Sequence, residues 1–230
     1  MITDIHAHVL PFVDDGSETL EHSLEMLGEL YSQGVTDVIL TPHFRGDYVK
    51  TPEELYNVFK EFKARCYEAD IPVNLYLGQE VFIDGNYKKI FHDKKVLTLN
   101  GTPYVLIEFA FENAGDITEF VYELKNLGYV PIVAHLERYT FSDIDLAYEI
   151  KAIGGLIQVN ADSIVGKYKR KYSKFIKELF SENLVDFVSS DLHHKRKLMI
   201  KKAKDVIVKK YGEECAEKVF RLNAEKIIKG

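Results

Sequence analysis

The chain lacks the features that mark several large protein classes. It has only two cysteines in 230 residues. Cys66 and Cys215 sit far apart in polar helical contexts, which supports no disulfide framework and makes a reducing compartment the simpler expectation. No apolar run approaches the roughly 20 residues of a membrane helix. The N-terminus shows neither a positive n-region nor a signal-type apolar core, so a cytoplasmic protein without direct membrane insertion is expected. Basic residues are not in excess: the net charge is −6, which argues against a nucleic-acid partner. There is no phosphate-cradling glycine loop, no C-x-x-C knuckle and no Cys-x5-Arg thiol signature. Repeats, linkers and low-complexity tracts are also missing. With 46% hydrophobic residues, the length suits one domain, residues 1–230, with a large buried core.

What the chain does contain is alternation. Apolar runs at Ile2–His6, Asp37–Thr41, Val73–Leu77, Tyr104–Phe109, Pro131–Ala134, Leu156–Val159 and Phe187–Ser190 read as strands. They lack a strict period of two, as strands buried on both faces do. Helical patterns separate them. Thr19–Gln33 stops at Gly34, and Pro52–Ala69 starts from Thr51 with a T-P-E-E capping pattern. Ile117–Leu127, Asp143–Ile153, Tyr172–Glu182, Leu198–Tyr211, Glu213–Phe220 and a short Ala224–Ile228 turn follow. This order predicts an α/β barrel or a doubly wound sheet. The basic stretch Gly166–Lys171 reads as a solvated loop, or as a rim that attracts an anionic substrate or an acidic tail.

Polar residues cluster where the strands end. His6 and His8 close the first strand, and alternate strand residues share a face. Thr41-Pro42-His43, Gly78-Gln79-Glu80, Glu108, Ala134-His135-Leu136-Glu137-Arg138, Val159-Asn160 and Ser190-Asp191-Leu192-His193 mark the others. Of the eight histidines, five (His6, His8, His43, His135 and His193) lie at such ends. In a parallel barrel these ends form one rim, where active sites are built. Glu108 stands in the apolar run V-L-I-E-F-A-F, where a lone buried carboxylate is costly unless paired or metal-bound. Asp191 and His193 repeat the same-face spacing. His22 and His92 read as surface residues. Imidazoles and carboxylates without a cysteine cluster suit Mn²⁺, Fe²⁺ or Zn²⁺, and their number suggests more than one ion.

Asp4-Ile5-His6-Ala7-His8, Val13-Asp14-Asp15-Gly16, Thr41-Pro42-His43, Gly78-Gln79-Glu80, Leu106-Ile107-Glu108, Ala134-His135-Leu136-Glu137-Arg138-Tyr139 and Ser190-Asp191-Leu192-His193 resemble the polymerase-and-histidinol-phosphatase (PHP) superfamily. The nearest match is its bacterial metal-dependent protein-tyrosine phosphatases of capsule and exopolysaccharide loci, the CpsB/YwqE-like group. The resemblance spans nearly the whole chain, with V-D-D-G and H-x-E-R-Y its most specific motifs. It implies a distorted TIM-like (β/α)7 barrel, the PHP fold, holding three divalent ions, usually manganese.

The resemblance also implies roles for particular residues. His6 and His8, with Glu80 and Asp191, would bind one ion. Glu80 would bridge to a second, completed by Glu108 and His135. Asp15, rather than Asp14, would hold the third with His43 and His193. Arg138 would hold phosphate oxygens through its bidentate donor fork. The group commonly carries an Arg followed by prolines after the D-x-H pair. Here the segment is His193-His194-Lys195-Arg196-Lys197, shorter and without proline, and Arg196 would supply the second phosphate contact. The implied reaction is hydrolysis of protein phosphotyrosine by a metal-activated hydroxide, without a cysteinyl-phosphate, on the tail of a cognate bacterial tyrosine kinase. The alternatives are a histidinol-phosphate phosphatase, a non-catalytic metal-bound docking domain and, least favoured by the charge, a nuclease of the same superfamily. No sequence feature assigns an oligomeric state.

Overall fold

The strands form because their residues are largely apolar on both faces and most of them are paired on both edges. A computed structural model describes residues 1–166 and 170–229, so most of the basic Gly166–Lys171 stretch lies outside the described residues. The strand segments are β1 (Ile2–Ala7), β2 (Val35–Leu40), β3 (His43–Phe44), β4 (Asn74–Leu77), β5 (Glu80–Phe82), β6 (Tyr104–Glu108), β7 (Val130–Val133), β8 (Leu156–Asn160) and β9 (Phe187–Ser189). β3 and β5 have no apolar run of their own and were not expected. They prolong β2 and β4 across short breaks. Pairing continues through those breaks: Gly78 N donates to Leu40 O at 2.8 Å and Glu80 N to Pro42 O at 3.1 Å.

Every ladder is parallel. One part of the sheet has the order β1-β2-β4 and the other β3-β5-β6-β7-β8-β9. The curled sheet meets itself at a narrow seam between β1 and the end of β9. There Asp191 N donates to His6 O at 2.8 Å and His8 N to Leu192 O at 2.9 Å. The buried Asp4 carboxylate accepts from Ser190 N at 3.0 Å, so a side chain stands in for a further rung of the ladder. With each prolongation counted with its own strand, this curled parallel sheet has the seven positions of the distorted α/β barrel that the resemblance implies.

Helices cover the outside: α1 (Leu20–Ser32), α2 (Pro52–Glu68), α3 (Tyr87–His92), α4 (Ile117–Asn126), α5 (Ile144–Ile153), α6 (Ala161–Ile164), α7 (Arg170–Ser181), α8 (Ile200–Tyr211), α9 (Glu213–Glu217) and α10 (Asn223–Ile228). The capping box at Thr51 and Glu54 is formed as expected. The single helix expected over Glu213–Phe220 instead passes from α9 into a wider π turn, Lys218–Leu222. The short α3 and α6 escaped the sequence reading because neither carries a full amphipathic period. Among the described residues no helix is long and apolar enough to cross a membrane.

The core has two layers. Val38, Leu40, Val105, Ile107, Val133 and Val188 face the helices. Ile5, Ile39, Leu106, Ile132 and Phe187 fill the barrel, closed below by Leu99 and by Ala224 and Ile227 of α10. Burying such a side chain contributes ~1.5–3 kcal/mol. The inner apolar layer is the floor on which the polar end of the barrel rests.

Candidate metal centre

The side chains at the carboxyl ends of the strands converge above that floor. On β6, Leu106 belongs to the inner layer and Glu108, two residues on, rises from the same face. β1 gains a residue against β2 between Asp4 and Ala7. A bulge of this kind re-aims side chains. It lets Ile5 stay in the inner layer while His6 and His8 both reach the mouth. His135 and Asp191 end β7 and β9 in the left-handed region, at φ 35° and 49°. Non-glycine residues rarely adopt it, and its cost of about 1–2 kcal/mol is typical of backbone held for a site.

The structure brings all nine expected ligands together. His6 Nε2 is 3.2 Å from Glu80 Oε1 and 3.6 Å from Asp191 Oδ1. His135 Nε2 is 3.1 Å from Glu80 Oε1 and 3.5 Å from Glu108 Oε1. His43 Nε2 and His193 Nε2 lie 3.4 and 3.5 Å from Asp15 Oδ1. Three groups have donor atoms close enough to share an ion: His6 with His8 and Glu80, His43 with Glu80 and Glu108, and His8 with Asp15, His43 and His193. Glu80 belongs to two of them, as a bridging carboxylate must. His8 and His43 also serve two groups, a sharing that the residue pattern did not reveal. Seven of the nine are buried; Asp15 and His193 form the open side.

Hydrogen bonding tests whether this set fits a cation. His135 N donates to Gln158 Oε1 at 2.8 Å, which fixes that oxygen as an acceptor. His6 Nδ1, 3.2 Å from the same oxygen, is therefore the donor. His8 Nδ1 donates to the Asp14 carboxylate at 2.8 Å. In the neutral rings both Nε2 atoms then carry lone pairs, and they face each other at 3.1 Å. Only a proton or a cation relieves that opposition. His43 Nδ1 and Glu80 Oε2 behave similarly. They lie 2.9 Å apart yet are not aligned as a hydrogen bond, as two ligands of one ion would be. A divalent cation fits these residues.

Two guanidinium groups border the cluster. Arg138 Nη1 donates to Asp191 Oδ2 at 3.1 Å and its guanidinium lies 4.7 Å from the Phe111 ring centre. Arg196 Nη1 pairs with the same oxygen and donates to Asp191 O at 2.6 Å. Arg138 thus turns to Asp191, not to its neighbour Glu137. Both arginines keep part of their surface open, so both can reach an anion in the mouth.

The capsular polysaccharide synthesis family model CpsB/CapC matches residues 2–229. The chain belongs to this family. Tyrosine-protein phosphatase CpsB of Streptococcus agalactiae is 34% identical over 98% of this chain and 98% of its own length. Tyrosine-protein phosphatase YwqE of Bacillus subtilis is 33% identical over 92% of this chain and 85% of its own. Among solved structures, one from the pair YwqE of B. subtilis and CpsB of Streptococcus pneumoniae, described as unique metal-dependent tyrosine phosphatases, superposes with a TM-score of 0.87 at 31% identity. It covers 94% of this chain and 90% of that one.

Beyond the expected ligands, several residues of this CpsB/CapC chain act at the site, of which Gln158 and Arg45 were not singled out from the sequence. Asp14 orients His8 and accepts from His43 N and Gly16 N, both at 3.0 Å. Gln158 and Asn160 form a relay: Gln158 Nε2 donates to Asn160 Oδ1 at 2.9 Å and Asn160 Nδ2 to Asp191 Oδ2 at 2.7 Å. Their signal was present as two polar residues at a period of two in the apolar run L-I-Q-V-N. Arg45, two residues after His43, contacts Glu108 Oε2 at 3.2 Å and Asp15 Oδ2 at 3.5 Å. His22, expected on the surface, is half-buried with its ring stacked 3.7 Å from His194, whereas His92 is exposed as expected.

The cluster is electrostatically divided. Burial alone would raise the Asp191 carboxyl, but the facing His6 and Arg196 hold it well below the usual carboxylate range. Glu108 goes the other way, pushed up by burial and by the neighbouring Glu80 charge. A buried carboxylate short of positive charge is what a cation site offers.

Proposed function

We propose that this chain is a metal-dependent protein-tyrosine phosphatase that hydrolyses protein phosphotyrosine in capsular or exopolysaccharide synthesis. The observation that carries the reading is the pair Arg138 and Arg196 at the edge of a buried histidine–carboxylate cluster. Cations to hold phosphate oxygens and ligands to hold metal ions share one mouth.

His6, His8, Asp15, His43, Glu80, Glu108, His135, Asp191 and His193 would hold divalent ions, which we take to be three manganese ions; iron or zinc suits the same donors. When bound, such ions supply Lewis-acid charge and lower the pKa of coordinated water. The protein's own groups do the rest. Arg138 and Arg196 bind phosphate oxygens and stabilise charge that builds on them during phosphoryl transfer. Phe111 supports the Arg138 guanidinium from one face. Asp14 and Gln158 keep the imidazoles in the tautomer that turns Nε2 to the centre. A phenolate leaves readily, so no strong general acid is required.

No cysteine takes part. Cys66 is buried and its thiol is pushed up to about 11, far from the thiolate a nucleophile needs. Both cysteines are free, which suits a cytoplasmic setting. The phosphoprotein substrate we favour is the tail of a tyrosine kinase that acts in the same polysaccharide pathway. Residues 1–230 would work as one domain, since the seam ties the first strand to the last.

The test is phosphate release from a phosphotyrosyl peptide with Mn²⁺ and with EDTA, beside His135→Ala and a histidinol phosphate control. Manganese-dependent release that the variant loses supports the reading. Release from histidinol phosphate alone would move the substrate to small molecules. No release from either, with metal bound, would leave a docking domain.

A further inference from the structure

A groove of about 520 Å³ opens next to the metal centre, between the loop after β3 and the start of α3. Its place in the fold ties it to the site. Phe82 lies two residues beyond the ligand Glu80 and opposite Glu108 in the β5–β6 ladder, so it continues the face that Glu80 occupies. Arg45 lines the groove and also pairs with Glu108 and Asp15, so one side chain borders both spaces.

The lining has two chemistries. Phe44, Phe82 and the exposed Val49 give an apolar floor. Lys89 and Lys95 stand on the rim beside Arg45, whose charge is shared with Glu108 and Asp15, against one lining acid, Asp84. The Asp84 carboxylate already accepts from Asn86 N at 2.7 Å, in the turn that starts α3. Lys95 is well exposed, and its nearest acid, Asp93, is 3.9 Å away. The groove therefore presents net positive charge over an apolar surface, on a protein whose overall charge is −6.

We propose that this groove binds the peptide segment flanking the phosphotyrosine, and that it selects segments carrying carboxylate side chains beside an apolar one. The inference rests on the phosphatase reading and narrows its substrate class. A phosphotyrosine whose phosphate lies by Arg138 and Arg196 must lead its chain out of the mouth. The groove past Arg45 is a path whose charge complements an acidic segment and repels a basic one.

The experiment compares kcat/KM on three phosphotyrosyl peptides of equal length, flanked by Glu, Gln or Lys, for the manganese-loaded wild type and for Lys89→Glu/Lys95→Glu. p-Nitrophenyl phosphate, which has no flanking residues, reports the reacting centre alone. Two rim-exposed charge pairs predict about a fivefold preference for the Glu peptide over the Gln peptide. The preference should shrink as salt is raised from low to high concentration, and it should invert in the double variant. Equal efficiency on all three peptides, at any salt, overturns the groove and leaves the phosphatase reading intact. Turnover of p-nitrophenyl phosphate without any peptide turnover, or of neither, overturns both.

Discussion

Arg138 and Arg196, which lie 58 positions apart in the sequence, share one acceptor, Oδ2 of Asp191. Asn160 donates to the same oxygen, while Oδ1 of that carboxylate faces His6, His8 and His193. One side chain thus separates the two guanidinium groups from the imidazoles. Arg138→Ala or Arg196→Ala is expected to cut kcat/KM on a phosphotyrosyl peptide by about 100-fold, the usual cost of losing one preorganised donor to transition-state charge. Metal content should survive either change, because the other arginine and Asn160 still hold Asp191. Steady-state kinetics with metal analysis checks both halves.

Asp14 touches no proposed ion, yet it holds His8 by its Nδ1 atom. Asp14→Ala should weaken metal binding by roughly 10–100-fold, the range seen when the partner of a ligating histidine is removed. Asp15→Ala should affect chiefly the ion near His43 and His193. Calorimetric titration with Mn²⁺ would resolve the two patterns.

Gly16 is packed against His8. A Cβ there would lie 2.1 Å from His8 O and 2.4 Å from His8 Cβ, so the glycine of V-D-D-G is fixed by space. Gly16→Ala is expected to cost ~1–3 kcal/mol through overpacking and to lower metal affinity as His8 shifts. Gly34 provides the contrast: its φ is +89° but no atom lies near an added Cβ. Gly34→Ala should cost ~1–2 kcal/mol of stability from strain and leave metal affinity unchanged. Denaturant unfolding with metal titration of both variants checks this.

Much of this arrangement was legible because barrel physics restricts where chemistry can stand. Strands such as Val105–Glu108, buried on both faces, show themselves as unbroken apolar runs, so Glu108 stood out as the residue that did not belong. His6, His8 and His43 are placed on one rim by strand order alone. β3 and β5 were not legible, since two or three residues held by neighbouring strands have no periodicity of their own. Arg45 was missed for a similar reason. A surface-type residue on a loop acquires its role only when β5 and β6 bring Glu108 within reach. His22 was misplaced because its burial comes from His194, more than 170 positions away.

Neither thiol is activated. Cys66 is buried and Cys215 is only half-buried, and burial raises both thiols above their ordinary value. Cys66→Ser/Cys215→Ser should keep phosphatase activity within about twofold of wild type once folded, while losing some stability at Cys66. Iodoacetamide should leave the wild-type rate unchanged. Rate loss on alkylation would count against the metal-dependent route.

Metal removal should also lower stability. Side chains proposed as ligands from β1 and from beyond β9 meet across the seam, so an ion bound there would stabilise the closed ring by mass action, about 2.7 kcal/mol at 100 times its dissociation constant. EDTA is therefore expected to lower Tm, and added Mn²⁺ to restore it, in a thermal scan.

The same seam has a consequence for how the protein is made. His6 and His8 are synthesised more than 180 residues before Asp191 and His193. The donors of the groups His6–His8–Glu80 and His43–Glu80–Glu108 are all synthesised well before the open group of His8, Asp15, His43 and His193 is complete. Only when β9 docks beside β1 do donors from both ends face each other. Selection of an ion at that open group would thus wait for the seam to close, when spacing as well as donor type can discriminate among ions.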